Sequence, residues 1–159
     1  MTRIGWIGCG THANEMLLPQ LARLPVKIVA LCDVDAKRLG QIGDRYGVTP
    51  RYADAAELLA HEELGAIGMA VGPALNVELG IEALSRGLPV FMEKPPAPTA
   101  DAAQLLADEA VRSGKPCVVG FMKRYSTANR IAGNIFVVPS LSPGPASERR
   151  ECQMPRVTA

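Results

Sequence analysis

The sequence lacks the features of a metal site and of a nucleic-acid surface. It has only two histidines and four cysteines, and no Cys-x-x-Cys pair occurs, so the ligand spacing of a structural zinc site is missing. Seventeen basic residues oppose 16 acidic ones, which leaves a net charge of +1 and no basic surface for a polyanion. One tryptophan, three tyrosines and three phenylalanines offer no platform for stacking bases. We expect no bound metal and no nucleic-acid partner.

Long hydrophobic runs are missing as well. No apolar stretch approaches about 18 residues, and the N-terminus MTRIGWIGCG has no long apolar run followed by a cleavage site. Cys9, Cys32 and Cys117 lie in apolar runs, where cysteine serves as a small buried hydrophobic residue. The sequence therefore predicts a reduced cytoplasmic protein with no membrane segment. Its 159 residues allow one well-buried domain and are too few for two ordinary ones.

Short apolar runs alternate with amphipathic stretches through the first 120 residues. The runs predicted as strands are Arg3–Ile7, Lys27–Cys32, Arg51–Tyr52 at an edge, Ala66–Val71, Pro89–Met92 and Cys117–Phe121. Strands that alternate with helices at this spacing imply βαβ crossovers and a parallel sheet covered on both faces. The predicted fold is α/β, a doubly wound, mostly parallel Rossmann sheet in a single domain with a short irregular C-terminal tail.

Helix signals occupy the stretches between these runs. The apolar residues with helical spacing in the first helix are Met16, Leu17, Leu21 and Leu24, and Pro19 is expected to kink it or start a new turn. Asp54 and Thr99 are predicted N-caps, and Gly47 and Gly114 are predicted C-caps. In the last helix the predicted inner face carries Ala102, Leu105, Leu106 and Ala110. Pro139–Ser147 is rich in Pro, Gly and Ser, which predicts a poorly ordered tail.

A glycine loop, Gly8-x-Gly10-x-x-Ala13, directly follows the first predicted strand and opens a helix. Gly8 allows a tight turn, Gly10 lets the backbone approach a pyrophosphate, and the small Ala13 lets helix and strand pack closely. The unpaired N–H groups at the helix N-terminus then face the phosphates. The loop residues Cys9, Thr11 and His12 complete the predicted dinucleotide cradle.

An acidic residue supplies the context that a bare glycine loop lacks. Asp33 closes the second strand 20 residues beyond Ala13, where a carboxylate can accept hydrogen bonds from ribose hydroxyls. The same carboxylate would repel a 2′-phosphate, so NAD is favoured over NADP. Arg38 could reach a phosphate, which keeps NADP open, although an arginine on a solvated helix face is the more common interpretation.

A second motif, Glu93-Lys94-Pro95-Pro96, follows the fifth strand at the carboxyl edge, where open α/β sheets bind ligands. Together with it, three other stretches carry a family resemblance: Ile7–Gly10, Leu31–Asp35 and Gly120–Tyr125. The order and spacing of these four stretches extend over about residues 3 to 130. In this respect the chain resembles the N-terminal half of the Gfo/Idh/MocA family of NAD(P)-dependent oxidoreductases.

The resemblance implies roles for particular residues. Lys94 corresponds to the catalytic lysine that points at the substrate and the nicotinamide, and Glu93 neighbours the nicotinamide ribose. The Lys94–Pro95 bond is often cis in relatives. Gly72 and Pro73 match a loop that flanks the cofactor, which makes Gly72, Pro73, Glu93 and Pro95 further cofactor-site candidates. Relatives usually have a histidine where Asn76 stands, and Arg124 and Tyr125 match a motif near the domain junction.

The family pattern also implies a second domain that these residues do not match. In relatives it supplies most substrate contacts, an acid/base histidine and aspartate, and commonly the oligomer interface. His12 and His61 are not plausible substitutes for that histidine. We therefore predict a dinucleotide-binding domain over residues 1–125, followed over residues 126–159 by a linker or remnant of the missing domain. Binding of NAD(P) with little turnover by this chain alone is expected, and a sugar or polyol substrate only where a second domain is supplied.

Two other functions remain open at this stage. A non-catalytic dinucleotide sensor or interaction module could keep the same fold. Lys94→Ala would leave its ligand binding intact, whereas the change would abolish the activity of an oxidoreductase. A methyltransferase also uses a glycine loop and an acid after the second strand, but it expects an acidic residue just before the glycines, where Trp6 and Ile7 stand.

Overall fold

Strands and helices alternate through residues 1–60 and 63–127, which the computed structural model describes. The strands are β1 (Thr2–Ile7), β2 (Val26–Cys32), β3 (Arg51–Tyr52), β4 (Ala66–Met69), β5 (Val90–Met92) and β6 (Cys117–Val119). The helices are α1 (Leu18–Leu21), α2 (Ala36–Tyr46), α3 (Ala55–Leu59), α4 (Pro73–Ser85) and α5 (Ala100–Ser113). A π-helical turn, Ala13–Leu17, precedes α1, and a 3₁₀ turn, Met122–Tyr125, follows β6.

The strands form one parallel sheet in the order β3-β2-β1-β4-β5-β6. Ile7 at the end of β1 pairs with Cys32 on one side and with Met69 on the other, so three strands end at the same level. The strand order reverses between β1 and β4, which is the switch point where such sheets bind ligands. The predicted doubly wound Rossmann fold is confirmed, including its edge strand β3.

Two hydrophobic clusters cover the two faces of the sheet. Helices α3, α4 and α5 contribute Leu58, Leu59, Leu79, Ala83, Leu84 and Leu106 to one cluster. The helical segment after β1 and helix α2 contribute Ala13, Leu18, Leu39 and Ile42 to the other. Since each helix buries one apolar stripe, the sheet lies between two layers of helices.

The first helical segment differs from its predicted inner face. Met16 and Leu24 are exposed, Leu17 and Leu21 are only partly buried, and the residues fully buried there are Ala13 and Leu18. Within the helix the π-helical turn explains the shift, because a turn wider than 3.6 residues moves the next residues around the helix axis. Leu24 lies beyond the end of α1 at Leu21. The π-helical turn ends just before Leu18, so Pro19 lies in the first turn of α1, where its missing N–H is tolerated. The new turn predicted at Pro19 is therefore present.

The predicted caps are present in the structure. Asp54 accepts from the Ala56 N–H at 2.8 Å and Thr99 accepts from the Ala102 N–H at 3.2 Å. Gly47 and Gly114 end α2 and α5 in the left-handed conformation. One cap is additional to the prediction, because the Asp35 side chain accepts from the N–H groups of residues 37 and 38 at the start of α2.

Several boundaries and burials also depart from prediction. Strand β4 ends at Met69 and β6 ends at Val119, each two residues before its predicted end. Cys117 is only half-buried because β6 lies at the edge of the sheet, and Leu105 is exposed next to the buried Leu106.

The described residues contain no helix long and apolar enough to cross a bilayer, and they bring no group of three or more potential metal ligands together. By internal contacts the chain divides into Met1–Phe121, which holds the whole sheet, and Met122–Ala159, whose described residues include the 3₁₀ turn. The domain boundary after residue 125 stays a prediction. His61 and the tail from residue 128 onward lie outside the described residues, as do the side chains of Arg124 and Tyr125.

Candidate functional site

The candidate site lies at the carboxyl ends of β1, β2, β4 and β5. The backbone hydrogen bonds between neighbouring strands continue just past these ends. The Gly8 N–H donates to Cys32 O at 2.8 Å, and the Glu93 N–H donates to Met69 O at 3.0 Å. The segments that leave the strands are therefore held close together where the predicted motifs begin.

Gly8 turns the chain sharply out of β1. Its φ is +92°, and a Cβ there would lie 2.5 Å from the carbonyl oxygen of Ala70, the residue after β4. The Trp6 indole N–H donates to the Gly8 carbonyl at 2.8 Å and fixes the turn from within the core. Only glycine fits a position with both a left-handed φ and a backbone carbonyl in contact.

Gly10 faces open space instead. The nearest atom to a Cβ placed there is Nη1 of Arg38, at 3.7 Å. Thr11 and His12, both exposed, continue from it into the helical segment, and Ala13 is fully buried beneath. The loop therefore presents its backbone to the outside over Gly10, as the predicted approach of a pyrophosphate requires.

Asp33 links the glycine loop to the end of β2. One carboxylate oxygen accepts from the Cys9 N–H at 2.6 Å, and the other accepts from the Asp35 N–H at 2.8 Å. The side chain is only 8% exposed, so these bonds orient a buried charge. Each oxygen keeps a second lone pair with which it could accept from a ligand hydroxyl.

Arg38 extends from the first turn of α2 across the glycine loop. Its Nε donates to Asp35 Oδ2 at 3.0 Å, and this exposed pair holds the guanidinium near Gly10. Hydrogen bonds from the Arg38 N–H and side chain lower the pKa of the Asp35 carboxyl. Asp35 therefore remains a carboxylate that can orient the arginine at neutral pH.

A cavity of about 600 Å³ brings these groups together. Four of the predicted site residues line it: Gly8, Gly10, Asp33 and Arg38. The walls are completed by Val34, Asp54, Leu75, Glu78 and Leu79, among others. Apolar walls with a few converging polar groups are typical of small-molecule sites. One arginine faces three carboxylates here, so the cavity disfavours additional negative charge.

Glu93 and His12 connect the second motif to the glycine loop. Glu93 follows β5 and is only 6% exposed, and its Oε1 lies 3.5 Å from Nε2 of the half-exposed His12. Lys94, next along the chain, is exposed, and the Lys94–Pro95 bond is cis, as expected. Neither Glu93 nor Lys94 is among the described residues that line the cavity beside Asp33, which we call the Asp33 cavity. The two motifs therefore occupy neighbouring parts of one edge of the sheet.

Asn76 holds the same strand exit from the other side. It lies near the start of α4, after Gly72 at the N-cap and Pro73 at the first position, and it is fully buried. Its Nδ2 donates to Glu93 O at 3.0 Å and to Pro95 O at 2.9 Å. In the sequence Asn76 stands out only as a departure from the family pattern, because its partners lie 17 and 19 residues away.

The thiols of Cys9, in the glycine loop, and of Cys32, at the end of β2, are both buried. Burial, together with the nearby Asp33 carboxylate, raises the pKa of Cys9 to about 12 and that of Cys32 to about 11. A thiol with a raised pKa stays neutral in the folded chain while it ionises in the unfolded one near its ordinary value of about 9. Its contribution to stability is therefore complete below about pH 9 and is lost as the pH rises towards the folded value.

We expect the free energy of unfolding to fall between about pH 9 and about pH 11, and to fall less steeply in Cys9→Ala. Urea unfolding curves followed by circular dichroism over this range measure both slopes. The two proteins differ only at residue 9, so the difference between the slopes isolates the Cys9 thiol. Equal slopes would contradict the buried, neutral state of Cys9.

Comparisons with known proteins agree with this fold. The family model described as "Oxidoreductase family, NAD-binding Rossmann fold" (GFO_IDH_MocA) matches residues 2–121. An inositol 2-dehydrogenase of Rubrobacter xylanophilus is 33% identical over 118 residues, which cover 73% of this chain and 33% of that protein. A D-apiose dehydrogenase of Paraburkholderia graminis is 31% identical, over 80% of this chain and 34% of that protein.

Solved structures give the same result. A dehydrogenase from Chromobacterium violaceum superimposes with a TM-score of 0.79 and 32% identity, over 87% of this chain and 41% of that one. An oxidoreductase from Agrobacterium radiobacter, in complex with NAD+, L-tartaric acid and magnesium, has a TM-score of 0.77 and 26% identity, over 84% of this chain and 39% of that one. The chain spans 33% of the length of the Rubrobacter relative and 34% of that of the Paraburkholderia relative.

Proposed function

The chain belongs to the Gfo/Idh/MocA oxidoreductase family, of which it is an NAD(P)-binding Rossmann domain, and from that premise we propose how its residues hold the cofactor. The adenosine half would lie in the Asp33 cavity, the pyrophosphate over Gly10, and the nicotinamide half towards Glu93 and Lys94. The observation that carries the proposal is the open space over Gly10 beside the buried Asp33 carboxylate. A backbone cradle and a ribose-binding acid thus adjoin one cavity.

We further propose that the chain prefers NAD to NADP. Asp33, Asp54 and Glu78 line the cavity, whereas Arg38 is the one cation among its described lining residues. The guanidinium is already paired with Asp35. A 2′-phosphate would bring about two further negative charges into this acidic setting and would have to compete for the arginine.

The proposed chemistry is that of a dehydrogenase acting on a hydroxyl group. When bound, the nicotinamide supplies the acceptor for a hydride. Lys94, exposed directly after the buried Glu93, would donate a hydrogen bond from its ammonium to the reacting oxygen, while the proton of the hydroxyl would pass to a base outside these residues. The relatives named for inositol and for D-apiose favour a sugar or polyol substrate in the full-length form, with further substrate contacts from outside these residues.

Calorimetric titration tests this assignment of the cofactor. We expect NAD to bind the chain at least about tenfold more tightly than NADP, a difference of about 1.4 kcal/mol. In Asp33→Asn, NAD affinity should fall by about ten- to hundredfold, because a charged acceptor of hydrogen bonds contributes about 1.5–3 kcal/mol. NADP affinity should change less, since the substitution also removes a repulsive charge.

Asp101→Asn is the matched control, because it removes the same charge from the exposed first turn of α5 and lies outside the cavity. Its affinities for both dinucleotides should equal those of the unsubstituted chain. NADP binding as tight as NAD binding would overturn the preference. Failure of either dinucleotide to bind the folded chain would overturn the proposed site.

A further inference from the structure

The side-chain amide of Asn76 holds the segment that contains Lys94 through two hydrogen bonds. The two hydrogens of Asn76 Nδ2 go to the carbonyl oxygens of Glu93 and Pro95, which lie immediately before and after Lys94. An NH₂ group is the side-chain donor that can serve two acceptors from one nitrogen without carrying a charge. The backbone on both sides of the lysine is therefore fixed to α4.

The rest of this strand exit offers little other restraint. The Glu93 N–H makes the last ladder bond, to Met69 O, and Pro95 has no N–H. Within the part of the chain that the structure describes, the Lys94 N–H donates to the adjacent Glu93 carboxylate, at 3.2 Å. Without Asn76, the carbonyls of Glu93 and Pro95 would lose their donor at the point where the chain leaves the sheet.

The amide of Asn76 is not explained by packing. Its Oδ1 is buried and has no hydrogen-bond partner among the residues that the structure describes. A leucine of similar size would fill the space without a buried, unpaired oxygen. A flipped amide would place Oδ1 against two carbonyl oxygens, so the donors set its orientation. The site retains an amide at the cost of an unpaired oxygen, which indicates that the two donated bonds matter.

Helix α4 also borders the cavity. The residues of α4 that line it, Leu75, Glu78 and Leu79, lie within three residues of Asn76 in the sequence. The same two turns of helix thus contact the proposed adenosine side and hold the strand exit. A rigid element that touches both parts of a site can set their relative position.

We propose that Asn76 is the positioning residue for Lys94, directing it to the nicotinamide side of the site through the carbonyls of Glu93 and Pro95. This inference rests on the proposed function, in which Lys94 meets the cofactor and the substrate. Asn76 itself is fully buried and does not line the cavity. Its loss should therefore misplace the lysine while the adenosine side of the cavity keeps its contacts.

Nuclear magnetic resonance of the full 159-residue chain, with lysines reductively methylated with ¹³C, tests the proposal. The chain has five lysines, and Lys94→Arg assigns the resonance of Lys94 and leaves four as internal references. We expect NAD+ to shift the Lys94 resonance in the unsubstituted chain. In Asn76→Leu most of that shift should be lost while NAD+ still binds, and Asn76→His, which keeps one N–H donor, should restore part of it.

Leu84→Ala is the structural control, because it weakens the packing of the same helix at its other end, about two turns beyond Asn76, where Leu84 is fully buried. It should lower the melting temperature and leave the NAD-induced shift of Lys94 unchanged. If Asn76→Leu does not fold, Asn76→Ser, which has room for a water molecule, is expected to show the same loss of shift.

The outcomes separate the two proposals. A full Lys94 shift in Asn76→Leu, or in its Asn76→Ser replacement, overturns the positioning role and leaves the proposed function standing. An equal loss of shift in Leu84→Ala also overturns it, because general destabilisation would then explain the result. If NAD+ binds the unsubstituted chain without shifting Lys94, the assignment of Lys94 fails, and the role of Asn76 fails with it.

Discussion

Gly8→Ala is expected to destabilise the folded chain by about 3–5 kcal/mol, a large part of the 5–15 kcal/mol typical of a domain. At a φ of +92° any side chain is strained, and the added Cβ would lie 2.5 Å from the carbonyl oxygen of Ala70 and 2.9 Å from its carbonyl carbon. Both are backbone atoms held by the sheet and cannot turn aside as a flexible side chain could. Urea unfolding monitored by circular dichroism measures the loss.

The other glycine of the loop provides the comparison. Gly10→Ala adds the same methyl group two residues away, where the nearest atom, Nη1 of Arg38, is 3.7 Å distant and can move. Its free energy of unfolding should stay within about 0.5 kcal/mol of that of the unsubstituted chain. Equal losses of stability in the two variants would contradict the distinct roles of the two glycines.

The second large effect is on cofactor binding. Gly10→Ala should weaken NAD binding by about a hundredfold, or about 2.7 kcal/mol, because the methyl group occupies the space through which the backbone would approach the pyrophosphate. Calorimetric titration of the folded variant measures the change. Since stability is retained, lost affinity cannot be attributed to unfolding.

Gly40→Ala, within α2, serves as the control for this prediction. A Cβ at Gly40 meets no atom within 4 Å, and the residue does not line the cavity. Alanine also favours the helix, so the variant should be at least as stable and should bind NAD unchanged. If Gly10→Ala bound NAD as tightly as Gly40→Ala, the loop would not be the cradle for the pyrophosphate.

Much of the fold could be predicted because its signals are local. The β runs, the Gly47 and Gly114 C-caps and the Thr99 N-cap each depend on a few consecutive residues. The alternation of strands with helices then allows few topologies, because parallel crossovers are right-handed. The first helical segment is the exception. Its π-helical turn changes the period on which the prediction of Met16 as an inner residue depended, and Leu24 lies beyond the end of α1.

The candidate site likewise has parts that could be predicted from the sequence and parts that could not. The glycine loop and Asp33 could be identified from sequence because a strand, a tight turn, a helix and a following acid have a regular spacing. The hydrogen bond between Cys9 and Asp33 joins residues 24 apart, and no spacing rule gives its geometry. Arg38 could be assigned to a solvated helix face or to a phosphate, and its pairing with Asp35 beside Gly10 placed it at the cavity.

By itself, therefore, the sequence determined the order of the elements, the turn at Gly8, and the presence of a loop and an acid suited to a dinucleotide, because these depend on local conformation and periodicity. The burial of Glu93 beside His12, and the hydrogen bonds from Asn76 to both carbonyls around Lys94, depend on the three-dimensional packing of the sheet. Those contacts join strand ends that are distant in the chain. They arise because the parallel sheet brings the carboxyl ends of its strands to one edge.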